Sequence, residues 1–394
     1  MNSPSIELAN VGYHALHPNP GLNFTLNRLA KTIAPAEVKS VASQIDSLEN
    51  WITEMRGAAD QAKREQRFAD AARYLQGAEF YMKLGAPDKQ EVYRRSITLF
   101  DRALPEMAAA RESVAYQTGT LPVIRVQAKG EERDVLLIHS GFDGLVEEMY
   151  PLLEPFAAAG YTVIAFEGPG QGAALRISNL HMPFDWEKPV SAILDHYAID
   201  SCTLIGMSLG GYLAPRAAAF EKRIRRVVAW GAMFDFFEVY RQRLGNAKFS
   251  LLTRLLDLGF SGIVNKLINK TRQKEDILDW AVSHGMHVSG TTTPYDFLQW
   301  VRTLNLRDSA HLIEQDVLLI MGADDHLVPR DQLYVQAAAM KQARSVTSVM
   351  FTARDQAAQH CQVGNSGIAI RQILDWLEFL AQRDATESWI HGAR

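Results

Sequence analysis

The sequence predicts an α/β fold in which a mainly parallel sheet is covered by helices on both faces. Three observations carry this. After residue 119 the chain falls into short runs rich in β-branched and apolar residues. Helical stretches lie between most of these runs, the alternation that builds a parallel sheet. One run, "CTLIGM" (202–207), leads directly into a serine flanked by glycines, "GMSLGG". Sheets of this kind carry their chemistry at the carboxyl ends of the strands.

The elements follow in order. Residues 1–35 are mixed, and Pro18, Pro20 and Pro35 break any long helix around the short apolar-periodic piece "LNFTLNRLAKTI". Residues 36–117 are rich in Ala, Glu, Lys, Arg, Gln and Leu. Apolar residues recur there at three- and four-residue steps, as at Ala71, Leu75, Ala78, Tyr81 and Met82. Gly85-Ala86-Pro87-Asp88 reads as a stop, a turn and a new helix start, so three or four packed helices are expected. No repeated period points to a solenoid. The predicted strands are 122–127, 134–140, 161–167, 202–207, 225–231, 316–322 and 345–351. Residues 234–312 show no clear strand and read as a helical insertion over the sheet edge, a lid. The expected division is a helical N-terminal segment at 1–118, a core at 119–233 and 313–394, and the lid at 234–312.

Bulk composition narrows the function classes. The 394 residues are 47% hydrophobic with a net charge of −4, which argues against nucleic acid or an anionic membrane as the main partner. Two cysteines, Cys202 and Cys361, make neither a disulfide scaffold nor a zinc site. No metal or organic cofactor is implied. No secretory signal or membrane-length apolar run is visible, so a cytoplasmic protein is expected.

Ser208 in Gly206-Met207-Ser208-Leu209-Gly210 stands between a strand and a helix, the place of a nucleophile elbow. A serine hydroxyl is a weak nucleophile and needs a base and an orienting acid. "LLIMGADDHLVP" supplies the acid after a later strand, with Asp325 preferred and Asp324 in reserve. His360 in "AAQHCQVGN" follows the last strand and is the expected base, ahead of His326, whose neighbour Asp325 it cannot easily face. The oxyanion donors are the N–H of Leu209 and, from the "HSGFDG" loop, the N–H of Phe142. His139 suits building that loop better than acting as a base. The glycines of "FEGPGQGAA" fall at 168, 170 and 172, out of register for a dinucleotide fingerprint. Aromatic residues of the lid, among them Phe236, Trp280 and Trp300, suit an aromatic or polyketide-like small-molecule substrate, although most such residues pack a lid's own interior.

These motifs resemble the α/β-hydrolase superfamily. The helical stretch "AARYLQGAEFYMKLGAPDKQEVYRRSITLF", "FEGPGQG", the elbow "GMSLGGYLAPRAAAFEKRIRRVVAWG" and "HGMHVSGTTTPYDFL" narrow the likeness. The chain is similar to the group of 2,6-dihydroxypseudooxynicotine hydrolase, fungal polyketide chain-shortening hydrolases and FrsA-like proteins. The resemblance implies an α/β-hydrolase fold and hydrolysis by a serine triad, often of a carbon–carbon bond beside a ketone. It implies a homodimer, with the N-terminal helices covering the active site. It also suggests an auxiliary acid in "WGAMFDFFEV", where Asp235 and Glu238 are candidates whose other role is charge at a helix N-terminus. A carboxylesterase, lactonase or acyltransferase would use the same triad. A non-catalytic binding or regulatory protein of this fold is the alternative of another class.

Overall fold

In a computed structural model of the chain, which describes residues 10–142 and 144–392, eight strands form one sheet. They are β1 (Arg111–Tyr116), β2 (Gly119–Val126), β3 (Asp134–His139), β4 (Tyr161–Phe166), β5 (Cys202–Met207), β6 (Ile224–Trp230), β7 (Asp316–Gly322) and β8 (Ser345–Phe351). Their order is β1-β2-β4-β3-β5-β6-β7-β8. β1 and β2 pair antiparallel, as do β2 and β4, and the remaining pairs are parallel. Parallel strands need long crossovers, and helices supply them on both faces.

Side chains along each strand alternate between two interiors. Leu136, Ile138, Ile205, Val228, Trp230, Leu318 and Ile320 face one, shared with the N-terminal helices and the C-terminal helix Ser366–Gly392. Leu137, Leu204, Val227, Ala229, Val317, Leu319 and Met321 face the other, packed on helices Glu187–His196 and Gly210–Phe220. Every residue of β5 and β7 is buried. Each fully buried Leu, Ile or Val contributes about 1.5–3 kcal/mol, so these central strands are the rigid floor of the site.

The seven predicted strands are all present, but the reading of 36–117 as helical is corrected at its end. Residues 111–116 form β1, joined to β2 by a two-residue turn in which Gln117 has φ 49° and Tyr116 pairs with Gly119. Val114 is the one buried residue of this edge strand, so no alternation announces it. The sheet therefore begins before residue 119.

Helices Pro20–Leu29, Pro35–Ala42, Leu48–Arg64, Phe68–Tyr81 and Lys89–Ala103 precede the sheet. The Asn19 side chain caps the first by accepting from the amides of Gly21 and Leu22. Trp51 is buried and donates to the Gly77 carbonyl at 2.7 Å, locking two of these helices together. Ion pairs tie the bundle to the sheet. Arg28 grips Glu148 at 2.8 Å, and Arg176 meets the buried Glu79 at 2.9 Å. Burial raises the Glu79 pKa, but Arg176 and Lys89 outweigh it and hold the carboxyl down to about 2. The Gly12 amide donates to the Gly364 carbonyl at 2.7 Å, joining the start of the described chain to the loop after β8.

Between β6 and β7 lie helices Glu238–Leu244, Asn246–Asp257, Ser261–Arg272, Asp276–Ser289 and Pro294–Thr303. Phe237, Leu256, Val264, Phe297, Leu298 and Val301 give them a small interior of their own. Among the described residues, no helix is long and apolar enough to cross a membrane.

Candidate active site

The turn after β5 is shaped by what its neighbours forbid. A Cβ on Gly206 would lie 2.2 Å from the Gly210 carbonyl oxygen, and one on Gly211 would lie 1.9 Å from that of Gly231. Only glycine permits helix Gly210–Phe220 to leave the strand so tightly. Ser208 itself has φ 60°, a left-handed conformation that is strained for a side-chain-bearing residue. Its amide donates to the Trp230 carbonyl at 2.8 Å, which fixes the turn and lifts the hydroxyl from the sheet.

The loop after β8 delivers His360 to that hydroxyl. Ser208 Oγ and His360 Nε2 are 2.7 Å apart, and His360 Nδ1 is 2.6 Å from Asp325 Oδ2. Cys361 and Gln362 carry φ values of 49° and 52°, and Gln362 Oε1 accepts from the Trp230 indole at 2.6 Å. Asp325 follows β7. Its Oδ1 accepts the amides of Leu327 and Val328, both at 2.9 Å. The carboxylate is thus satisfied on both oxygens although only 7% of the residue is exposed. The Asp324 amide donates to the Ala358 carbonyl at 2.9 Å, stitching the acid loop to the histidine loop.

The electrostatics of this buried pair run one way. Burial disfavours the His360 cation, but the Asp325 carboxylate outweighs it and raises the pKa well above its ordinary value. Burial likewise raises Asp325, and His360 with the two amides turns the balance so that its pKa lies below the usual range. The arrangement favours an imidazolium beside a carboxylate, the state reached once a serine proton has been taken.

Gly141 lies against the elbow, where an added Cβ would be 2.5 Å from the Leu209 amide nitrogen. The loop carrying Phe142 and the Leu209 amide are therefore adjacent, as an oxyanion pocket requires. His139 beneath them is buried with both nitrogens engaged, Nδ1 with the Ser140 carbonyl at 2.8 Å and Nε2 with the Trp186 indole at 3.2 Å. Burial lowers its pKa to about 4.

A family model described as the alpha/beta hydrolase fold matches residues 134–352. The chain belongs to the α/β hydrolase family. Among curated relatives, the hydrolase acrC of Aspergillus aculeatus is 31% identical over 64% of this chain and 66% of that protein, just under two thirds of its length. The 20-hydroxy-prefusarin hydrolase FUS2 of Gibberella moniliformis is 27% identical over 79% of this chain and 84% of that protein. Among solved structures, AbyA5 aligns with a TM-score of 0.68 at 18% identity, covering 95% of this chain and all of that one (100%). The 2,6-dihydroxy-pseudo-oxynicotine hydrolase aligns at 0.60 and 18% identity, covering 90% of this chain and 94% of that one. At these identities the structures show the fold.

In this α/β hydrolase the other candidates make different contacts. Asp324 is exposed. The His326 ring packs on Phe24 at 4.7 Å, and burial, with the nearby His360, lowers its pKa to about 4. Asp235 is buried, but its carboxylate is held by Arg307 at 2.6 Å and caps the Phe237 amide at 2.9 Å. Glu238 pairs with Arg241 one helical turn on. Both expected auxiliary acids are thus committed to arginines.

Sequence reasoning missed two residues that contact the candidate site. Gln171, in the glycine-rich loop after β4, donates to the carbonyls of Ser140 and Gly141 at 2.7 and 2.8 Å and accepts from the Gly168 amide at 2.9 Å. A long polar residue among glycines was its one signal. Phe24, on the first described helix, lies 5.9 Å from the His360 ring, a contact no local pattern foretells. Among the described residues, no group of three or more His, Cys, Asp or Glu is placed to hold a metal ion.

Proposed function

We propose that Ser208, His360 and Asp325 are the catalytic triad of a hydrolase that cleaves a carbon–carbon bond beside a ketone in an acylated aromatic or polyketide-like molecule. The observation that carries the reading is the unbroken chain of contacts, 2.7 Å from Ser208 to His360 and 2.6 Å from His360 to Asp325. The relative named 20-hydroxy-prefusarin hydrolase supports a hydroxylated organic substrate.

His360 takes the Ser208 proton as Oγ attacks the ketone carbon. The amides of Phe142 and Leu209 stabilise the oxyanion, a contribution of about 2.7–4 kcal/mol for one such donor. On collapse the carbon–carbon bond breaks, and its electron pair stays with the departing carbon as an enolate or ring-stabilised anion. The His360 imidazolium returns the proton to that carbon. A water, activated by the now neutral His360, then releases the acid from Ser208. The N-terminal helices and the 234–312 insertion would enclose this chemistry and exclude water.

One observation favours a second reading. With Asp235 and Glu238 bound to arginines, no additional acid is supplied from that stretch, and a carboxylesterase, lactonase or acyltransferase needs none. The two readings part in one experiment. Wild type and Ser208→Ala are given p-nitrophenyl acetate and, separately, an acylresorcinol. Carbon–carbon cleavage lost in the variant supports the first reading, and ester turnover alone supports the second. The resemblance also supports a homodimer, tested by light scattering.

A further inference from the structure

The stretch "HGMHVSGTTTPYDFL" (284–298) is mostly explained by helix geometry. A Cβ on Gly285 would lie 2.3 Å from the Phe297 ring, so glycine lets that ring seat. Gly290, at φ 70°, ends the helix Asp276–Ser289, and the Thr293 side chain caps the next one. The His287 carbonyl lies 2.8 Å from His181 Nδ1.

His284 has no such duty. It is 6% exposed, and its Nε2 is buried with no hydrogen-bond partner. Three parts of the chain enclose the ring. Trp280 of the insertion stacks on it at 5.2 Å and 7°. Phe142 of the oxyanion loop meets it edge-on at 5.6 Å and 80°. Phe80 of the N-terminal bundle stands 6.2 Å away. Burial, with Arg176 and Lys89 nearby, lowers its pKa to about 3, so the ring is neutral. A phenylalanine would fill this aromatic slot without desolvating a nitrogen, so packing alone gives no reason for histidine. Gln76, one helical turn before Phe80 on the same helix face, repeats the pattern, since it is buried and both its amide atoms lack partners.

We propose that His284 is a substrate-binding residue whose buried Nε2 hydrogen-bonds a ring hydroxyl of an acyl substrate seated against the Phe142 loop. A hydroxyl suits either imidazole tautomer, because it both donates and accepts. The inference rests on the aromatic, hydroxylated substrate class of the preceding section.

The test uses the full chain carrying Ser208→Ala, titrated calorimetrically with 2,4-dihydroxyacetophenone and with unsubstituted acetophenone. The dihydroxy compound should bind about ten-fold more tightly, the scale of one good buried hydrogen bond. Adding His284→Phe should abolish that preference and leave acetophenone affinity unchanged. Adding His284→Gln should restore part of it. A purely structural role would instead weaken both ligands equally and lower the Tm. Equal binding of the two compounds by Ser208→Ala, or a preference that persists in His284→Phe, overturns the proposal. Turnover of an acylresorcinol by the wild type is read separately, so a failed carbon–carbon hydrolase reading is distinguishable from a failed His284 assignment.

Discussion

Gln171 Nε2 donates to the Gly141 carbonyl at 2.8 Å, and the same nitrogen reaches Ser140 at 2.7 Å. One side chain thereby sets the backbone orientation of the loop that presents the Phe142 amide. Gln171→Leu should lower kcat by about 10–100-fold, less than the roughly 10²–10³ for deleting an oxyanion donor. KM for p-nitrophenyl acetate should change little, because the ground-state carbonyl is weakly held. Steady-state kinetics beside a circular dichroism spectrum checks this. A variant of full activity would remove Gln171 from the site.

The two adjacent aspartates should separate sharply. Asp325→Asn removes the carboxylate that orients His360 and should cost about 10⁴ in kcat. Asp324→Asn, at an exposed position, should keep activity near the wild-type level. Ser208→Ala should abolish both turnover and labelling by a fluorophosphonate. Comparable losses from both asparagine variants would contradict the assignment of Asp325.

The pH profile follows from the buried pair. In the proposed mechanism catalysis starts from neutral His360, and the pKa of that residue is raised above the ordinary 6.5. kcat/KM should therefore rise with pH through a midpoint above 6.5 and level off on the alkaline side. Stability has the opposite sign for this group. The His360 contribution is complete below 6.5 and is lost as pH rises through the raised folded value. The Asp325 contribution is complete above 3.8 and is lost as pH falls through its lowered folded value. Denaturant unfolding across pH, beside the rate profile, measures both. A kinetic midpoint below 6.5 would be inconsistent with the pair.

Asp235 should prove structural. Asp235→Asn weakens its link to Arg307, whose side chain is 63% exposed, so solvent screening limits the cost to about 1–2 kcal/mol. The Tm should fall while kcat per folded molecule is kept. A selective loss of carbon–carbon cleavage with the Tm unchanged would instead return Asp235 to the reaction.

What the sequence disclosed and what it withheld divide along a physical line. Ser208 and Asp325 each follow a fully buried strand run, and His360 follows β8, whose Val346, Thr347 and Val349 mark it as a strand. The central strands were visible because burial on both faces leaves unbroken apolar stretches. β1 was not, because an edge strand with Val114 as its buried residue has no period to show. Gln171 and Phe24 were missed for a different reason. Each matters through contacts with residues distant in the chain, and such contacts leave no mark on local spacing.

The bond between Gly12 and Gly364 lies four residues beyond His360, and Phe24 touches that same ring. The histidine is thus held by one segment that precedes the sheet and one that follows its last strand. During synthesis, a ribosome-bound chain would carry a complete elbow long before it carried His360. Its serine would stay chemically silent until the final strand and histidine loop emerged and the opening helix folded back upon them. Accordingly, a cut or fusion near residue 12 should be felt at His360, some 350 positions away in the chain.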